Sequence, residues 1–127
     1  MDNFKDDKFA IHLGFEVLES SYGHSKVRAI VREEYLNGVG IAHGGFLYTV
    51  ADFALAAATN VDGRIALNST STINYLQPCP AGATIIAEAS YLFENGKNAL
   101  CLIKVYDETS REIYCIFESR AITKVKV

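Results

Sequence analysis

Apolar and polar positions alternate along residues 26–32. Val27, Ala29 and Val31 fall on one side and Lys26, Arg28 and Arg32 on the other. That period of two is the mark of a half-buried strand. Residues 15–20 read as the strand before it, joined through the turn Ser21-Tyr22-Gly23-His24, and residues 2–12 as a short, weak helix or arm. Residues 45–60 carry five alanines between 51 and 58, with no proline and no internal glycine, which predicts a long helix. Strands are expected at 65–75, 84–94, 98–107 and 111–123, with Asn95-Gly96 and Glu108-Thr109-Ser110 as hairpin turns. The order of elements predicts an α+β fold, one long central helix on one large antiparallel sheet, as a single domain over 1–127.

The helix has an unusual charge pattern. Between Glu34 and Asp62 there is no Lys, Arg or Glu; the only carboxylate is Asp52 and the only imidazole His43. A surface helix shows a charged face opposite its apolar stripe, so this one is expected to be buried and wrapped by the sheet. The less apolar stripe is Tyr48, Thr49, Asp52, Ala56 and Thr59, with Asp52 at its centre. Two readings of Asp52 stay open. It is a structural acid hydrogen-bonded to Thr49 or a turn, or it is a catalytic carboxylate. Burying a carboxylate without a partner is costly and raises its pKa toward the range of a general base.

Composition narrows the classes. The chain has 127 residues, 50% of them hydrophobic and 21% charged, enough to bury a core. A net charge of -3 gives none of the basic surplus of a nucleic-acid binder. The start lacks the pattern of a signal peptide, and the most apolar stretch, 46–61, is interrupted by Thr49, Asp52, Thr59 and Asn60, so no membrane partner is expected. Cys79, Cys101 and Cys115 are odd in number and widely spaced, which argues against a disulfide framework and for a reducing cytoplasm. No pair among His12, His24 and His43 has metal-ligand spacing, and neither metal nor cofactor is expected.

A glycine-rich loop, Asn37-Gly38-Val39-Gly40-Ile41-Ala42-His43-Gly44-Gly45, leads into the helix. It has neither the lysine of a phosphate loop nor a βαβ setting. The first turn of a helix carries backbone N–H groups without partners at the positive end of the dipole, and two glycines allow another molecule close to them. That is a candidate oxyanion site for a carbonyl oxygen; the other reading is simply a tight loop before a helix. Asp52 lies nine residues after His43, about 13 Å along a helix axis. The two cannot meet in one chain. Two antiparallel copies of the helix about a two-fold axis would bring them together in a composite site that occurs twice.

The pattern Asn37-x-x-Gly40-x-x-His43-Gly44-Gly45, with Asp52 in the helix, resembles the signature of the hotdog-fold acyl-CoA thioesterases of the phenylacetate-degradation (PaaI-like) type. Leu13-Gly14-Phe15-Glu16 and Ile73-Asn74-Tyr75-Leu76-Gln77-Pro78 are similar to that family's first-strand entry and strand end. The resemblance implies that two chains join their sheets into one, and that dimers pair into tetramers. It implies an acyl-CoA substrate, no cofactor, and an oxyanion held by the Gly44 N–H. His43 and Asn37 would orient the thioester. Asp52 of the partner chain would act as base or nucleophile. Gly40 and Gly45 would line the substrate site. A Ser or Thr in the strand after the helix often assists; here the stretch is Asn68-Ser69-Thr70, and Asn68, counted back from Tyr75, stands where the hydroxyl is expected. Strand alternation would put Ser69 on the opposite face from Asn68 and Thr70.

Two rival functions follow from the same fold. An acyl-thioester dehydratase also needs His and Asp, arranged about carbon. A non-catalytic acyl-CoA sensor is the other, usually joined to a helix-turn-helix arm, for which residues 2–12 are too short.

Overall fold

The computed structural model describes residues 2–124. After a 3₁₀ turn at Asn3–Asp6 come α1 (Lys8–Leu13), β1 (Glu16–Ser21), β2 (His24–Ile30), α2 (Gly44–Thr59), β3 (Ile65–Tyr75), β4 (Thr84–Asn95), β5 (Asn98–Asp107) and β6 (Ile113–Lys124). The strands form one antiparallel sheet in the order β1-β2-β4-β5-β6-β3, and α2 lies across it. This is the hotdog architecture.

Every predicted element is present, and the differences are at the ends. The arm expected at 2–12 is split by Asp7, whose carboxylate accepts the Ala10 N–H and starts α1. The strand expected at 26–32 runs from His24 to Ile30, because the turn after β1 holds only Tyr22 and Gly23, at φ +82°. The last strand begins at Ile113 rather than Arg111, because Arg111 takes a left-handed φ of 67°. His24, read from the sequence as part of the turn, is the first residue of β2, and its Nε2 lies 3.1 Å from Glu88 and its Nδ1 3.7 Å from Glu19.

Small residues let the sheet approach the helix closely. Ala54, Ala57 and Ala58 have no exposed surface, and the Ser25 and Ser20 hydroxyls donate to the Ala54 and Ala57 carbonyls at 2.6 and 2.7 Å. Phe117, Ile103, Val105, Val27 and Ile85 fill the space between. All three cysteines are free thiols buried in this core. Among the described residues no helix is long and apolar enough to cross a membrane.

Two connections place the site. Asn60, just after α2, bonds both the N–H and the C=O of Ala66, at 2.9 and 3.1 Å, which ties the start of β3 to the end of the helix. The crossover from β3 to β4 pins the glycine-rich loop: Ala42 N–H donates to the Cys79 carbonyl at 2.8 Å and Ile41 bridges Pro80.

Candidate active site

His43 precedes α2 in extended conformation, and its Nδ1 accepts the Gly45 N–H at 2.8 Å. This bond places the proton of a neutral imidazole on Nε2, which faces outward as a donor. The Phe46 and Leu47 N–H groups donate to the His43 carbonyl. The Gly44 N–H alone in this turn has no acceptor among the described residues. It carries the positive end of the helix and is free to stabilise an oxyanion.

The structure gives the two glycines a packing reason as well. Neither Gly44 nor Gly45 has a left-handed φ. A Cβ at Gly44 would lie 3.2 Å from the Tyr75 phenol, and one at Gly45 3.0 Å from His43 Nδ1. The space on their Cβ side is taken by the protein's own Tyr75 and His43. The Tyr75 hydroxyl also donates to the Gly44 carbonyl at 2.9 Å, clamping the first residue of the helix. Gly40 does need its glycine, with φ +85° in an exposed turn.

Asn37 closes the loop. Its Oδ1 accepts the Val39 and Ile41 N–H groups at 3.0 and 3.2 Å, which leaves its amide N–H groups as donors. Asn37 and Gly44 line one cleft of about 310 Å³ with Leu47, Tyr75, Leu76 and Gln77. His43 and Gly45 line a neighbouring one with Tyr35, Phe46 and Thr49. Asp52 and Asn68 line a third, of about 340 Å³, further along the helix toward its C-terminal end. The Asp52 and Gly44 clefts share no residue, as the separation along the helix requires.

Asp52 is half-buried and forms no ion pair among the described residues. Its Oδ1 accepts one hydrogen bond, from Asn68 Nδ2 at 3.1 Å. Burial raises its pKa above the usual carboxylate value; the Asn68 amide opposes this, and the nearby Asp7 charge adds to it. Thr49 is no partner, since its hydroxyl donates to the Gly45 carbonyl at 2.7 Å. Thr59, read as part of the polar stripe, is buried and bonded to the Leu55 carbonyl at 2.9 Å.

The strand facing Asp52 departs from simple alternation. The register of β3 against β6 shifts between Asn68 and Thr70: Asn68 pairs with Ala121, Thr70 with Arg120 and Ser71 with Ser119. Ser69 is the extra residue of this β-bulge, and its hydroxyl donates to the Arg120 carbonyl at 3.0 Å. The bulge puts Asn68 and Ser71 on the helix side and turns Thr70 to the other face, so the expected pairing of Asn68 with Thr70 does not hold. Asn68 Nδ2 donates to the Ser71 hydroxyl as well as to Asp52. Ser71 and Ser119 were not singled out by the sequence pattern; only the register reveals them.

The family described as "Thioesterase superfamily" matches residues 39–114. A putative esterase of Archaeoglobus fulgidus is 33% identical over 110 residues, which covers 87% of this chain and 71% of that protein. The acyl-coenzyme A thioesterase PaaI of Escherichia coli K12 is 30% identical over 110 residues, covering 87% and 79% respectively. Of solved structures, the TT0310 protein of Thermus thermophilus superposes with a TM-score of 0.85 at 34% identity, over 91% of this chain and 97% of that one. The E. coli PaaI protein from the phenylacetic acid degradation operon superposes with a TM-score of 0.92 at 27% identity, over 98% and 90%.

Proposed function

This chain belongs to the thioesterase superfamily and is a hotdog-fold thioester hydrolase of the phenylacetate-degradation type, and from that premise we propose that it cleaves small or aromatic acyl-CoA thioesters at a site made by two copies of the chain. The observation that carries this reading is Asp52, a carboxylate without a cationic partner among the described residues, in an apolar helix and open to a cleft. A purely structural acid in such a place would be locked to a base or to several donors.

The chemistry is simple. The thioester carbonyl lies against the free N–H of Gly44, with the Asn37 amide and the outward N–H of His43 as orienting donors. An amide donor aimed at a developing oxyanion contributes about 3 kcal/mol to transition-state stabilisation. Asp52 of the partner subunit activates water or attacks the carbonyl itself. A carboxylate whose pKa is raised by burial is a better base than an exposed one. The acid product and free CoA leave without any redox or metal step.

Two features support the pairing of chains. β3 is a sheet edge of 11 residues, paired with β6 on one side and with no strand on its outer side among the described residues. Leu67, Tyr75, Leu76 and Tyr48, on and around it, are large apolar side chains left exposed. An open edge of that length invites a second strand, which would join two sheets into one. The homodimer, and the pairing of dimers into a tetramer, belong to this proposal.

Complementation tests the composite site. Asp52→Asn lacks the carboxylate and keeps the amide site. Gly44→Pro lacks the N–H and keeps the carboxylate; Gly44 is the first helical residue, where proline is tolerated, and His43 before it is already extended. Each variant alone is expected to be inactive on a panel of acyl-CoAs from acetyl to palmitoyl with benzoyl and phenylacetyl. Dissociated and re-associated together, they should recover about a quarter of wild-type activity, since half the dimers are mixed and each has one intact site. No recovery in proven mixed dimers would place both groups in one chain. Binding without turnover by the wild type would favour the sensor.

A further inference from the structure

Three polar side chains are fully buried among the described residues: Ser25, Thr59 and Ser119. Ser25 and Thr59 donate to carbonyls of α2. Ser119 differs. Its hydroxyl donates to a side chain, Oδ1 of Asn68, at 2.6 Å. It also lies in the helix-facing row of β6 among Cys115, Phe117 and Ala121, all of them buried. A hydroxyl in such a row is costly unless its proton finds an acceptor.

We propose that Ser119 is a positioning residue: from the core it holds the Asn68 amide so that its N–H side faces the Asp52 carboxylate. This rests on the reading of Asp52 as the hydrolytic group. The two ends of an asparagine amide have nearly the same shape and opposite hydrogen-bonding character. Asn68 meets a demand at each end. The carboxylate and the Ser71 hydroxyl take its Nδ2, and the Ser119 proton takes its Oδ1. A flipped amide would set Oδ1 against the carboxylate and leave the Ser119 proton without an acceptor in the core. The bulge at Ser69 makes the arrangement possible, because without it Asn68 and Ser71 would lie on opposite faces of β3.

With Ser119→Ala, Asn68 Oδ1 loses its donor and the amide is released from Asp52. Turnover should fall about tenfold with KM unchanged, and the acid limb of the pH–kcat profile should move to higher pH, because the donor that favours the ionised carboxylate is lost. Ser119→Cys keeps the packing and replaces the hydroxyl with a weak donor, so it should behave like Ser119→Ala; Ser119→Thr, which keeps the hydroxyl, should restore turnover and profile. Adding Ser119→Ala to Asn68→Ala should cost nothing further. Should Thr not fit the core, the comparison of Cys with wild type decides alone. A wild-type kcat and pH profile in both Ser119→Ala and Ser119→Cys would overturn the proposal, whatever happens to Tm. The Asp52 carboxyl ¹³C signal, assigned by its loss in Asp52→Asn, tests the same claim without turnover. It should titrate at higher pH in Ser119→Ala than in wild type, and an unmoved titration overturns the inference. If the wild type cleaves none of the thioesters, the functional reading fails, and this titration still decides the role of Ser119.

Discussion

Asp52, in the middle of the apolar helix, and Asp107, at the end of an apolar strand, are both aspartates, and their surroundings treat them in opposite ways. Asp52 sits in α2 with one donor, Asn68, and burial raises its pKa. Asp107 ends β5, where the Ser110 and Thr109 N–H groups donate to its Oδ1 at 3.0 and 2.9 Å and the Tyr114 hydroxyl to its Oδ2 at 3.1 Å. Those bonds hold its pKa below the usual value. One carboxylate is satisfied by the turn it organises. The other is left short of partners, facing a cleft. Burial with a single donor, against several donors at little depth, separates an acid that is available for chemistry from one that builds the fold.

Removing the under-satisfied acid is the strongest way to test this contrast. Asp52→Asn is expected to lower kcat by about 10²–10⁴-fold, measured by thiol release. It should at the same time raise Tm at neutral pH. A carboxylate whose folded pKa is raised destabilises the fold as pH climbs from its unfolded value through its folded one, and the penalty persists above. The gain in Tm should therefore disappear below the ordinary aspartate pKa, a point that thermal melts across pH will settle. A loss of Tm at pH 7 would make Asp52 structural like Asp107.

The amide end of the site gives the next largest effect. Gly44→Pro should lower kcat by about 10²–10³-fold. Gly44→Ala introduces a Cβ 3.2 Å from Tyr75 and keeps the N–H. It should cost much less, on the order of a few-fold, as the phenol shifts by a few tenths of an ångström. The ratio between the two variants isolates the N–H from the steric effect. Equal losses would mean that shape, and not the oxyanion donor, is what Gly44 contributes.

The smallest catalytic effect is expected at the satisfied acid. Asp107→Ala should leave kcat and KM as they are and lower Tm, because the β5–β6 turn loses its organising acceptor. The sign of the pH dependence is reversed here. A folded pKa held low contributes stability above the unfolded value, and that contribution is lost as pH falls toward the folded pKa. The Tm difference between Asp107→Ala and wild type should then shrink in acid, whereas a change in turnover would tie this turn to the site.

The amino-acid pattern by itself determined the one-helix, six-strand order, the length of α2 and the isolation of Asp52, because these depend on local periodicity and on which charges are absent. It also determined that His43 and Asp52 are too far apart on one helix to share a reacting group, which is a matter of rise per residue. Three things were decided only by tertiary structure. Tyr75 fills the space beside Gly44, although 31 positions separate them in the chain. Ser69 is squeezed into a bulge by the register of β3 on β6, which reverses the faces of the residues after it. Ser119 reaches Asn68 from a strand 51 positions away. Alternation along a strand can be read from neighbours in sequence, but a bulge depends on how one strand is matched to another, and that match exists only once the sheet has formed around the helix.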